Sequence, residues 1–260
     1  MLFTIDNLQI HCDVLGDGEP ILFIHGFPLS NELWRAAAQG LSERWRCILP
    51  DLRGHGRSAA TPEVSMAHYA DDLAALLDKL REWRPAVIIG MSMGGYIAFE
   101  FFRRHRNRVR ALVLCDTQAN ADTPEAVARR EALAQAVMND GSIVAADAMV
   151  PRLFAAGASV ELRQKWQSII SNSPPVGVAA AARALARRPD SNPTLAEIDC
   201  PTLVVVGQED TLTPPSLAEE LRRAIRGSRL EIIPAAGHMS PVEQPASFNS
   251  VLRTFLDSLQ

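Results

Sequence analysis

The sequence predicts an α/β fold, a mostly parallel sheet flanked by helices, with a helical cap inserted before the last two strands. Three observations predict it. Short apolar runs alternate with longer helical patterns through the first half of the chain. From about Gln118 to Leu195 the alternation stops, and alanine-rich amphipathic segments take its place. The strand pattern then returns at residues 202–206 and 230–233, each run followed by a helical pattern.

In chain order, strands are expected at residues 9–15, 20–24, 46–50, 86–90 and 109–116. Tyr69, Leu73, Leu76, Leu77 and Leu80 recur at helical spacing and form one apolar stripe, as a helix packed on a sheet requires. The amphipathic segments begin near Thr123, Ser142, Val160 and Pro174. With neither an internal repeat nor a low-complexity linker, the reading is one core domain, residues 1–118 and 196–260, carrying a helical cap at 119–195.

The 260 residues can bury a deep core. Hydrophobic residues make up 47% and charged residues 22%, which excludes a disordered chain. A net charge of −4 argues against a nucleic-acid partner, because phosphate binding needs a concentrated basic surface. Cys12, Cys47, Cys115 and Cys200 have no C-x-x-C spacing, so neither a zinc knuckle nor a disulfide framework is suggested. The first residues lack a basic region followed by a long apolar one, and no stretch approaches eighteen apolar residues. A cytoplasmic protein without membrane contact is expected.

Chemistry concentrates at Gly90-Met91-Ser92-Met93-Gly94, a G-x-S-x-G string with a strand before it and a helix, residues 95–105, after it. Such a turn holds a serine in a strained backbone, where glycine on either side leaves room. A serine hydroxyl attacks only when a base removes its proton. Of six histidines, His238 follows the last strand on a loop leading to the final helix, and is the expected base. His11, His68 and His105 read as surface or interface side chains. Asp210, at the carboxyl end of the 202–206 strand, is the expected acid orienting that histidine; Asp116 is a rival, and neighbouring Glu209 should point elsewhere.

Negative charge developing on a carbonyl oxygen needs two backbone N–H donors. Met93 supplies one, at the start of its helix. Phe27 is the natural second, in His25-Gly26-Phe27-Pro28 after an early strand, because Pro28 cannot donate. The string from Asp51 to Ser58, Asp-Leu-Arg-Gly-His-Gly-Arg-Ser, reads as structural: His25, Asp51 and Arg53 or Arg57 should tie this loop to the oxyanion loop. The run Arg103, Arg104, Arg106, Arg108 and Arg110 reads as a solvated helix end.

Together, the His25-Gly26-Phe27-Pro28, Asp51-to-Ser58, Gly90-to-Gly95, Gly207-to-Asp210 and Gly237-His238 strings make the whole chain resemble the α/β-hydrolase superfamily, most closely bacterial carboxylesterases of short-chain acyl esters. The resemblance implies an eight-stranded α/β-hydrolase fold, a Ser92, Asp210, His238 order, an ester substrate and no cofactor or metal. Enol-lactonases acting on 3-oxoadipate and cofactor-free haloperoxidases with perhydrolase activity share the Ser-Met-Gly-Gly elbow and remain alternatives, as does a ligand-binding receptor on a hydrolase scaffold. Phe27, Met149, Leu153, Phe154, Trp166 and Met239 are the expected pocket walls. Converging Arg152, Arg163 and Arg183 would favour an anionic lactone.

Overall fold

Runs such as Ile21-Leu22-Phe23-Ile24 and Leu203-Val204-Val205-Val206 show no polar alternation, which suits strands covered on both faces. In the computed structural model, which describes residues 1–259, these runs are interior strands of one eight-stranded sheet. The strands are β1 (Leu2–Ile5), β2 (Leu8–Leu15), β3 (Glu19–Ile24), β4 (Trp45–Pro50), β5 (Ala86–Met91), β6 (Val109–Cys115), β7 (Thr202–Gly207) and β8 (Arg229–Ile233). Their spatial order is β1-β2-β4-β3-β5-β6-β7-β8. Only the pairs β1/β2 and β2/β4 are antiparallel; the others are parallel. Strands β5 and β7 are buried along their whole length.

The pattern-based strands match β2 to β8 within about two residues, and β6 stops at Cys115, leaving Asp116 outside it. Strand β1 has no counterpart among them. Four residues are too few to show a period, and β1 exists because Asp6 and Asn7, both at positive φ, fold it back onto β2 in a two-residue hairpin.

Eleven helices accompany the sheet: α1 (Arg35–Leu41), α2 (Met66–Lys79), α3 (Met93–Arg104), α4 (Pro124–Asp140), α5 (Ile143–Leu153), α6 (Val160–Ser171), α7 (Pro175–Ala186), α8 (Asn192–Leu195), α9 (Pro215–Ala224), α10 (Ser240–Glu243) and α11 (Pro245–Asp257). Their starts follow local chemistry. Ser65, Thr123 and Ser159 cap α2, α4 and α6 with side-chain oxygens, and Pro124 and Pro175 occupy first positions where no amide bond is lost. Helix α2 buries Tyr69, Leu73, Leu76 and Leu77, the stripe read from spacing. Helix α3 begins two residues earlier than expected, directly after Ser92.

Helices α4 to α8 occupy the segment between β6 and β7; α4 packs against α7, and α5 against α6. The two ends of this segment are tied together. Ser191 N–H donates to Ala119 O at 2.8 Å, and the buried Arg188 guanidinium meets Asp122 Oδ1 at 2.6 Å while also donating to Asn120 O. Helix α7 then presses on the loop after β4: a Cβ placed on Gly177 would lie 2.0 Å from Gly54 O. Among the described residues no helix is long and apolar enough to cross a membrane.

Candidate active site

In an open parallel sheet, the carboxyl ends of the strands face the ligand crevice, above all where strand order reverses. Here β3 and β5 flank that reversal. The residue after β5 is Ser92, at φ 54 and ψ −115. Its N–H donates to Cys115 O at 2.9 Å, and Thr117 Oγ1 donates to its carbonyl at 2.8 Å, so both neighbouring segments hold the strained turn. Glycine is required on both sides. A Cβ on Gly90 would stand 2.3 Å from Gly94 O, and one on Gly94 would stand 2.2 Å from Ile24 O.

The loop after β3 lies against this turn: a Cβ on Gly26 would be 3.2 Å from Ser92 Cβ. Phe27 N–H donates to no group among the described residues, and Met93 opens α3, where an N–H has no carbonyl one turn earlier in the helix. The peptide between Phe27 and Pro28 is cis. Buried His25 donates from Nδ1 to Gly26 O and accepts Leu52 N–H at Nε2. Burial pushes its pKa down to about 4, so it is a neutral strut. Asp51 Oδ1 accepts Asn31 N–H at 2.8 Å, and Oδ2 accepts Arg57 N–H at 3.1 Å. The Asp51-to-Ser58 loop thus braces the loop after β3. Of the two arginines expected to tie these loops, Arg57 does so, through Asp51 and Asn31; Arg53 instead makes a two-toothed contact with Asp72 of α2, at 2.8 and 2.6 Å, because its loop faces that helix.

His11 also departs from expectation. It is buried, with Nε2 3.3 Å from Asp13 and Nδ1 3.1 Å from Asp51, since β2 sits inside the sheet once β1 covers its edge. His105 pairs with Asp71 at 2.8 Å. The arginine run at and beyond the end of α3 is not simply solvated: Arg103, Arg104, Arg106, Arg108 and Arg110 pair with Glu100, Asp71, Asp199, Asp78 and Glu19.

Strands β7 and β8 are neighbours, and the loops after them touch closely enough that a Cβ on Gly207 would be 2.0 Å from Gly237 O. This brings His238 Nδ1 to 2.8 Å from Asp210 Oδ2, with both side chains buried. Asp210 further accepts Leu212 N–H, Thr213 N–H and Thr213 Oγ1–H. Burial raises its pKa, but the His238 charge and these bonds outweigh burial and hold it below the ordinary carboxylate range. For His238, burial acts downward, and the charges of Asp210, Asp116 and Glu243 overcome it, so its pKa is raised above 6.5.

Asp116 is fully buried but makes no bond to the imidazole. Its oxygens accept Gly207 N–H at 2.8 Å and Ser240 Oγ–H at 2.6 Å; burial, then the Asp210 charge, raises its pKa well above the usual carboxylate range. Glu209 is exposed. Ser92 is partly exposed on the same sheet edge, and its Oγ makes no hydrogen bond among the described residues.

Of the expected wall residues, Phe27, Leu153, Phe154, Trp166 and Met239 are buried and Met149 is half-buried. A cleft of about 530 Å³ lies elsewhere, between α6 and the segments bearing Asn31, Arg35 and Arg57. The arginines of α5 to α7 do not converge: Arg152 is exposed, Arg163 donates to Ala155 O, and Arg183 pairs with Glu131. Thr213, Ser240 and Glu243 were not singled out from sequence. Ser240 reaches Asp116 and Glu243 reaches Ala155, both distant in the chain, while Thr213 bonds Asp210 three residues before it; only a polar residue shortly after each motif residue hinted at them. Among the described residues no three His, Cys, Asp or Glu cluster as metal ligands would.

Known proteins share this architecture. A thermophilic esterase from Thermogutta terrifontis superposes with a TM-score of 0.95 at 41% identity, covering 97% of this chain and 94% of that one. The enol-lactonase from Burkholderia xenovorans LB400 gives 0.91 at 26% identity, covering 99% and 100%. An AB hydrolase superfamily protein of Bacillus subtilis, YisY, is 30% identical over 265 residues, 98% of each chain. The sequence pattern of the alpha/beta hydrolase fold family matches residues 19–245. The chain belongs to the alpha/beta hydrolase family.

Proposed function

We propose that this hydrolase cleaves carboxylic esters of small to medium acyl chain by a two-step route through an acyl-enzyme. The observation that carries the reading is the buried Asp210–His238 pair on the same sheet edge as a serine held at positive φ. Asp210 fixes the tautomer with the proton on Nδ1, which leaves Nε2 free to take a proton. Ser92 Oγ attacks the ester carbonyl as His238 accepts its proton; the N–H groups of Phe27 and Met93 receive the developing oxyanion. His238 then protonates the leaving alcohol, and a water that it deprotonates releases the acid. In catalytic hydrolases the serine-to-histidine bond is often long before substrate binds, which suits an Oγ without a partner. No step requires a metal or an organic cofactor.

We assign residues 119–195 as the cap over this edge and Phe27, Met149, Leu153, Phe154, Trp166 and Met239 as the source of acyl and alcohol contacts. Four free thiols, three of them buried, suit the reducing cytoplasm. A lactonase is the second reading, favoured by likeness to an enol-lactonase; the unconverged cap arginines weigh against its anionic form.

Hydrolysis of p-nitrophenyl esters from acetate to palmitate tests the reading, with Ser92→Ala as control. Short chains should turn over, and the variant should lose on the order of a million-fold in kcat. A folded wild type that cleaves lactones but no ester in the series would transfer the assignment to the lactonase.

A further inference from the structure

The loop bearing His238 is held by a carboxylate outside the triad. Glu243, in α10, accepts Gly237 N–H at 2.8 Å and Met239 N–H at 3.2 Å on Oε1, the two amides flanking the histidine. Its other oxygen accepts Ala155 N–H at 2.7 Å, from the end of α5 in the inserted segment. The fit is tight, since a Cβ on Gly237 would stand 2.4 Å from Ala155 N. The far side of this contact is clasped too: Arg163 of α6 donates to Ala155 O at 2.6 Å and lies over the Phe154 ring. Both Glu243 oxygens therefore act as acceptors, and three backbone amides depend on them.

We propose that Glu243 is a positioning residue that locks the seating of the inserted helices to the placement of His238. The proposal rests on the serine-hydrolase reading above. When Phe154 and Ala155 sit against Gly237, one half-buried carboxylate satisfies amides from both segments; when they lift, Ala155 N–H and Glu243 Oε2 lose each other, and the carboxylate that holds the two amides beside the base is no longer fixed at its other end. Cap seating and base geometry thus share one hinge point.

Glu243→Gln tests it, because the amide must present an NH₂ group to one of the three N–H donors. Hydrogen exchange should accelerate together at residues 153–156 and 237–239, while α2 and the central strands keep their protection. With a p-nitrophenyl ester, kcat should fall on the order of tenfold or more, the scale for small misplacement of a reacting group, with KM little changed. His238 faces Asp210, Asp116 and Glu243. Removing one negative charge lowers its pKa, so the acid limb of the rate profile should move to lower pH. Arg163→Ala leaves Glu243 and the triad intact and should accelerate exchange at the same two segments; it serves as the second test if the first variant fails to fold. Exchange rising at only one segment, or kcat unchanged while both rise, would overturn the coupling. The exchange readout does not depend on turnover, so an inactive wild type would fail the esterase reading without deciding the exchange result.

Discussion

At Asp210 and Asp116 two buried carboxylates sit within the field of one imidazole, and their hydrogen bonds separate their tasks. Asp210 bonds the ring; Asp116 bonds Gly207 and Ser240, holding the segments on which Asp210 and His238 stand. With Asp210 as the orienting acid, Asp210→Asn should cost about four orders of magnitude in kcat, the scale of the same change in serine-protease triads. Asp116→Asn should cost far less. The raised pKa of His238 gives a sign for pH: the imidazole must be neutral to act as base, so kcat/KM should fall as pH drops through a midpoint above 6.5, and Asp210→Asn should shift that midpoint down. A profile flat to pH 5 would remove His238 from the role. The positive-φ serine, its flanking glycines and the Asp210–His238 pair were legible because each obeys a short-range rule of turn geometry or strand position. Thr213, Ser240 and Glu243 were not: Ser240 and Glu243 meet Asp116 and Ala155 through tertiary closeness alone, and the local bond from Thr213 to Asp210 belongs to no short motif.

Among elements, the parallel strands and capped helices announced themselves through unbroken apolar runs and through Ser65, Thr123 and Ser159. Strand β1 stayed hidden because pairing to β2, and not periodicity, makes it a strand. His11 read as a surface or interface side chain for the same reason. Contact between elements is less visible still, as Gly177 illustrates. Nothing about a glycine in an alanine-rich helix reveals that α7 rests directly on Gly54, yet the approach leaves no room for a methyl group. Gly177→Ala should therefore destabilise by about 1–3 kcal/mol, the usual cost of overpacking, and thermal unfolding should show it as a drop of several degrees. Gly157, with no atom within 4 Å of an added Cβ, supplies the control: Gly157→Ala should leave the melting temperature nearly unchanged.

Over the whole molecule, the sheet carries the proposed chemistry on one edge, while the 119–195 segment leaves and rejoins it at a single place. Asp122 and Arg188 close that place with side chains 6% and 3% exposed, and Arg188 also stacks over Tyr96. Arg188→Ala strands a buried carboxylate, and although Arg130 still reaches it, denaturant unfolding should report a loss of about 3–5 kcal/mol. A loss under 1 kcal/mol would mean that the two ends stay together without the pair. Because those ends are already side by side, the sheet does not register how many residues run between them, and the entropy of closing a longer or shorter excursion changes only slowly with its length. The helices of 119–195 are in that sense a cassette whose length the sheet tolerates, while Ser92, Asp210 and His238 stay where they are.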